Sequence, residues 1–89
     1  MKDTLLFLLK SIVDHPEDLS IEEKTQDAQT IYLVHANIGD MGKIIGKSGR
    51  IIRAIRDLVK LMAAKQGKYA DVVLAEEKQE SQMQDEQDK

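Results

Sequence analysis

Gly46-Lys47-Ser48-Gly49 is the stretch of this chain whose residue types and spacing point to chemistry. Two glycines bracket a lysine and a serine, and an isoleucine pair stands on each side, Ile44-Ile45 before and Ile51-Ile52 after. A short apolar pattern runs into Gly46, and a long apolar-periodic one starts just after Gly49. The spacing predicts a helix, a tight turn and a second helix, with Lys47 the only long side chain at the turn. Glycine accepts turn dihedrals that other residues resist, and it lets a ligand's backbone come close to the main chain. The second helix starts at the turn, so its unpaired N–H groups and the positive end of its dipole gather there. Phosphate suits such a place. Lys43, Arg50 and Arg53 flank it and add screened, sequence-independent attraction for anions.

Other chemistries find few residues. The chain has no cysteine, hence no disulfide and no thiolate metal site. His15 and His35 belong to no metal-spacing motif. Most carboxylates lie in the last residues or beside lysines, and nothing reads as a nucleophile with an oriented base. A chain of 89 residues buries a modest core and leaves little room for an active-site cleft. The expectation is a protein that is not an enzyme and takes no metal, cofactor or small-molecule substrate. The longest apolar run, Leu5 to Leu9, falls well short of the roughly 20 residues that span a bilayer. A cytoplasmic protein without a signal peptide is expected.

The net charge of −3 hides a strong segregation. Residues 43–68 hold eight basic residues against Asp57 alone, a net of +7, while residues 76–89 carry a net of −4. The basic segment centres on the glycine turn, and an anionic partner responds to that local field.

The elements that must position the turn are legible on either side. Residues 4–14 read as a helix capped by Asp3 or Thr4 and ended by His15-Pro16, with Leu5, Leu8, Leu9 and Ile12 on one stripe and Leu6 and Phe7 outside it. Leu19 to Thr25 is a short charged strand, suited to a sheet edge. After the connection Gln26 to Gln29, Thr30 to Asn37 is the strongest strand pattern. Both its parities are apolar, which makes it central, with Tyr32, Val34 and Ala36 turned to the helices. Asp40 caps a short helix, Met41 to Ile45. The helix from Arg50 to Gln66 sets Ile51, Ile52, Ile55, Leu58, Val59 and Met62 within about 60° of one line, and Gly67 ends it. Tyr69 to Ala75 is a third strand. A helical crossover joins the last two strands, so they run parallel, whereas the hairpin is antiparallel. The fold class is α+β, with a three-stranded mixed sheet and three helices on one face. Residues 1–75 form the domain. Residues 76–89 form an acidic tail expected to be disordered, with a short helix from Ala75 to Gln82 as the alternative.

Three readings of the turn compete. A nucleotide-binding P-loop needs glycine five places before Gly46, where Met41 stands. A plain connection between helices accounts for the glycines but not for Lys47 at the tip or for its basic neighbours. A clamp for single-stranded nucleic acid accounts for both, because a G-x-x-G turn between helices is how KH domains hold about four nucleotides. Ile44-Ile45-Gly46-Lys47-Ser48-Gly49-Arg50-Ile51-Ile52 resembles the KH signature I-G-x-x-G-x-x-I. With the lead-in Asp40-Met41-Gly42-Lys43, the continuation Ile55-Arg56 and the length, the chain resembles the KhpA family of small bacterial stand-alone KH proteins over residues 1–75. The resemblance implies a type II KH fold, α-β-β-α-α-β, and RNA contacts at Lys43, Ile45, Gly46, Lys47, Ser48, Gly49, Arg50 and Arg53. By the same analogy a strand edge forms the far wall of the groove, here residues 20–26, whose Glu22 and Glu23 would repel phosphate and weaken binding. It further implies single-stranded RNA as ligand, a homodimer, a larger KhpB-like KH protein as partner, and a part in cell elongation and division. A protein–protein adaptor on the same scaffold, with vestigial RNA binding, is the alternative.

Overall fold

Residues 1–75 are described by the structure, a computed structural model. The tail, and all of its alternative helix but Ala75, lie outside them. Alternation along three strands builds the sheet. β1 (Ser20–Gln26), β2 (Gln29–His35) and β3 (Tyr69–Leu74) lie in that order, β1 antiparallel and β3 parallel to the central β2. Ile21 pairs with Val34, and Tyr32 and Val34 pair with Val72 and Leu74, so the large apolar residues of one parity share a face. Leu5 and Leu9 of α1 (Lys2–Lys10), Met41 and Ile44 of α2 (Met41–Ile45) and Ile55, Val59 and Ala63 of α3 (Arg50–Lys65) cover that face in one core. The expected inward set is found there, Ala36 packing beside it just past the strand's end. This is the α+β, type II KH-like architecture, with all three helices on one side of a mixed sheet.

Several boundaries differ from the pattern, each for a physical reason. α1 begins at Lys2, with Met1 at its N-cap position and no side-chain cap, so neither Asp3 nor Thr4 plays that part. It ends at Lys10, before the proline is reached. The Ser11 hydroxyl donates to Phe7 O at 3.0 Å, and the N–H groups of Asp14 and His15 donate to the Asp40 carboxylate. A helix whose next donors are taken by another segment stops there. Pro16 instead opens a 3-10 turn, Pro16–Asp18. The hairpin is tighter than expected: Gln26 pairs with Gln29, and only Asp27-Ala28 turn the chain, Asp27 at φ 60°.

α3 is rotated relative to the predicted stripe. Ile55, Val59 and Ala63 are buried, Ile52 and Met62 are half-buried, and Ile51 and Leu58 are exposed, together with Leu61 at 68%. The helix is apolar around a wider arc than the sheet can cover, so part of that arc faces solvent. Its C-terminus closes as expected: Gly67 at φ 72° donates to Ala64 O, and Lys68 N–H to Ala63 O, both at 2.9 Å. Among the described residues no helix is long and apolar enough to cross a membrane.

Candidate nucleic-acid interface

α2 is only five residues long, and its buried Met41 and Ile44 hold it to the core. It ends because Gly46 adopts φ 77°, ψ 172°. A Cβ there would stand 2.6 Å from Ile51 Cγ1, so the turn closes against the first turn of α3 only with glycine at this position. Ser48 (φ 57°) and Gly49 (φ 72°) are also left-handed, which makes three of the four loop residues positive in φ. Gly46 N–H donates to Gly42 O, Gly49 N–H to Gly46 O and Arg50 N–H to Lys47 O. That leaves the N–H groups of Lys47 and Ser48 without a backbone acceptor among the described residues. Successive N–H groups in a turn of this kind form a concavity for an anion. Lys47 and Ser48 are exposed, so the elbow is open to a ligand.

The eight residues singled out from the sequence divide here. Ile45 is half-buried and packs on the core, forming the apolar shoulder of the loop. Gly46 and Gly49 shape the elbow, with Lys47, Ser48 and Arg50 exposed around it. Arg53 Nη2 donates to Ser48 O at 3.3 Å, bracing the loop while its charge stays at the surface. Lys43 is drawn aside: its Nζ lies 3.4 Å from Asp14 Oδ2. Lys47, Arg50 and Arg53 make no ion pair among the described residues.

Beyond the loop, a cleft of about 200 Å³ is lined by Ile52 and Arg56 of α3 and by Val72, Val73 and Leu74 of β3. This corrects the expected far wall. The strand beside the start of α3 is β3, and β1 lies on the opposite edge of the sheet, beyond β2. Glu22 bonds His35 on that remote edge at 2.9 Å, so the anticipated repulsion from Glu22 and Glu23 does not line this cleft. The acid of β3 is Asp71, and it is already matched. Arg56 Nε and Nη2 donate to its two oxygens at 2.9 and 3.0 Å, and Lys60 Nζ stands 4.0 Å away. The hydrogen bond from Arg56 holds the Asp71 carboxyl below the usual range, and Asp71 in turn raises the guanidinium. Arg56 lines this cleft but is not among the eight residues singled out from the sequence. The available signal was its place four residues after Ile52, on the same helix face.

Asp40 occupies the N-cap position of α2 but makes no side-chain cap bond there. Its carboxylate, 1% exposed, instead accepts from Asp14 N–H at 3.2 Å, from His15 N–H at 2.9 Å and from His15 Nδ1 at 3.1 Å. Burial pushes this carboxyl up, but the bonds from His15 and Asp14 outweigh it and hold it below its ordinary value. The same bond raises His15.

Comparison with known proteins bears on the whole assembly. The family model KhpA/KhpB, KH domain, matches residues 2–74. The RNA-binding protein KhpA of Listeria monocytogenes is 41% identical over 68 residues, covering 76% of this chain and 90% of that protein. That of Clostridium perfringens is 43% identical over 68 residues, 76% and 91% of the two chains. That of Chlamydia muridarum is 37% identical over 78 residues, 88% and 100%. No solved structure matches. With the family model spanning nearly the whole described chain and relatives at 37–43% identity, the chain belongs to the KhpA/KhpB family of KH domains.

Proposed function

We propose that this chain is a non-enzymatic module that binds single-stranded RNA through Gly46-Lys47-Ser48-Gly49, with low sequence specificity. The observation that carries the reading is the exposed elbow at Lys47-Ser48, left-handed at Ser48 and Gly49, whose two N–H groups have no backbone acceptor among the described residues and lie beside Arg50 and Arg53. The relatives' names, RNA-binding protein KhpA, support the same ligand class. Phosphates lie on the elbow, while bases rest on the apolar surface of Ile45, Ile52 and the β3 edge. Residues 1–75 are the binding module, and residues 76–89 are an acidic tail outside it.

One module reading about four nucleotides binds weakly, and a second copy or a second RNA-binding protein raises avidity. Ile51, Leu58 and Leu61 on α3 and Phe7 on α1 are exposed and suit either a homodimer or a larger KhpB-like partner. In this reading the protein works in the cytoplasm, in post-transcriptional control linked to cell elongation and division. The same exposed residues favour the second reading, an adaptor with vestigial RNA affinity.

The test is the double variant Lys47→Asp, Ser48→Asp. Aspartate tolerates the left-handed backbone of position 48, so the fold is retained. Affinity for single-stranded RNA falls at least ~10-fold with an unchanged melting point, because phosphate is repelled. Unchanged RNA crosslinking in cells would reject the clamp and favour the adaptor.

A further inference from the structure

The last strand ends beside the elbow, and the residues that follow it carry the opposite charge. β3 runs parallel to β2, and its final residue, Leu74, pairs with Val34. Leu74 lines the same cleft as Ile52 in the first turn of α3, so β3 ends next to the start of that helix. Gly49 lies three residues before Ile52, about 4.5 Å along the axis at 1.5 Å per residue. Fourteen residues follow Ala75, Glu76 to Lys89, and six of them are acidic against two lysines. The family model stops at Leu74, so this charged stretch lies outside the shared domain. Five residues of extended chain reach about 17 Å, enough to bring Glu76, Glu77 and Glu80 to the elbow. There Lys47, Arg50 and Arg53 make no ion pair among the described residues, whereas Lys43 is matched by Asp14, and Arg56 and Lys60 by Asp71. Competing cations stand farther off. Lys65 and Lys68 are at the other end of α3, roughly 20 Å from its start. Lys24 is on the remote strand β1, among Glu22, Glu23 and Asp27.

We propose that the acidic tail, residues 76–89, docks on the elbow of its own chain and competes there with the phosphates of RNA. This rests on the single-stranded RNA reading above. Carboxylate and phosphate oxygens accept from the same donors, here the N–H groups of Lys47 and Ser48 and the side chains of Lys47, Arg50 and Arg53. Each exposed ion pair is weak, but a partner tethered this close acts at an effective concentration near the millimolar range. One KH module also binds its few nucleotides weakly, so the two contacts are comparable in strength. The apparent RNA affinity then falls by the fraction of chains whose elbow is open. A strand that sets several phosphates along the basic segment displaces the tail, and an isolated anion does not.

The experiment uses the full chain. A carbodiimide joins a carboxylate to a neighbouring lysine amine without a spacer, and peptide mass spectrometry locates the link. The expected product joins Lys47 to Glu76, Glu77 or Glu80 within one chain, and a saturating all-uridine octamer suppresses it. A full-length variant with the six acids neutralised (Glu76→Gln, Glu77→Gln, Glu80→Gln, Asp85→Asn, Glu86→Gln, Asp88→Asn) keeps the melting point. It binds the labelled octamer about 5-fold or more tighter than wild type at about 50 mM salt. Links spread over Lys24, Lys65 and Lys68 with none at Lys47 overturn the inference. So does a Lys47 link that joins light to heavy chains in an isotopically mixed sample, a link that saturating RNA leaves intact, or equal octamer affinity of the two proteins. In these four outcomes RNA binding itself stands. Failure of both proteins to bind the octamer rejects the RNA reading, and the competition with it, whether or not the link forms.

Discussion

Asp40 joins segments 25 residues apart in sequence, tying the chain after α1 to the residue just before α2. The bond pattern makes stability depend on pH in two directions. His15 is raised above its ordinary value of 6.5 by its bond to Asp40, with Glu17 and Asp18 adding to the effect. Its contribution is complete below pH 6.5 and is lost as pH rises through the raised value. Asp40 is held below its ordinary value of 3.8, so its contribution is present above that value and is lost as pH falls through the lowered one. The pair is strongest between those limits. Melting temperature followed from pH 3 to 9 checks this: the wild type loses stability relative to His15→Gln as pH rises above 6.5 through the raised value, where the variant has no ring to titrate. Asp40→Ala leaves two backbone donors without their acceptor and lowers the melting point at neutral pH by on the order of 5–10 °C. A flat difference curve for His15→Gln would mean that the ring does not share its proton with Asp40 in solution.

The loop is an element whose glycines are not equivalent, and alanine substitution separates them. Gly46→Ala places a Cβ 2.6 Å from Ile51 and strains φ 77°, so it costs about 2 kcal/mol or more. Gly49→Ala meets only Arg53 Nη2 at 3.8 Å and carries the left-handed strain alone, about 1 kcal/mol. Gly42→Ala, inside α2 with nothing within 4 Å, is neutral or stabilises by up to about 1 kcal/mol. Urea melts of the three variants give this order, and equal costs at 42 and 46 would contradict the turn geometry. The elements around the loop were readable to different degrees. α2, the start of α3 and the Gly67 terminus follow from local residues and stand where the sequence puts them. The end of α1 is set by Asp40, a partner that no local pattern contains. The exposure of Ile51 and Leu58 was equally hidden, because the arc of α3 that is covered depends on how the helix meets β3.

At the scale of the whole molecule, topology decided what the residues alone could not. The turn, its basic neighbours and the strand order were legible in the sequence, whereas the far wall was assigned to β1 by analogy, because which edge strand lies beside the start of α3 depends on how the helices pack on the sheet. On the proposed reading, with β3 as the wall, the acid beside the cleft is neutralised by Arg56, and the cations left around the elbow would govern binding. Lys47, Arg50 and Arg53 make no ion pair among the described residues, while Lys43 is held by Asp14. Three phosphate contacts on a single strand give a slope of log affinity against log salt of about −2, or a loss of roughly 20-fold between 50 and 200 mM salt. Asp14→Asn releases Lys43 and steepens the slope toward about −3, and Lys47→Ala lessens it by about 0.7. Titrating one labelled octamer at four salt concentrations measures all three slopes. The overall charge of −3 would by itself predict an affinity that improves as salt screens repulsion. A positive slope would therefore mean that the acidic total, and not the local basic field of residues 43–68, controls the encounter.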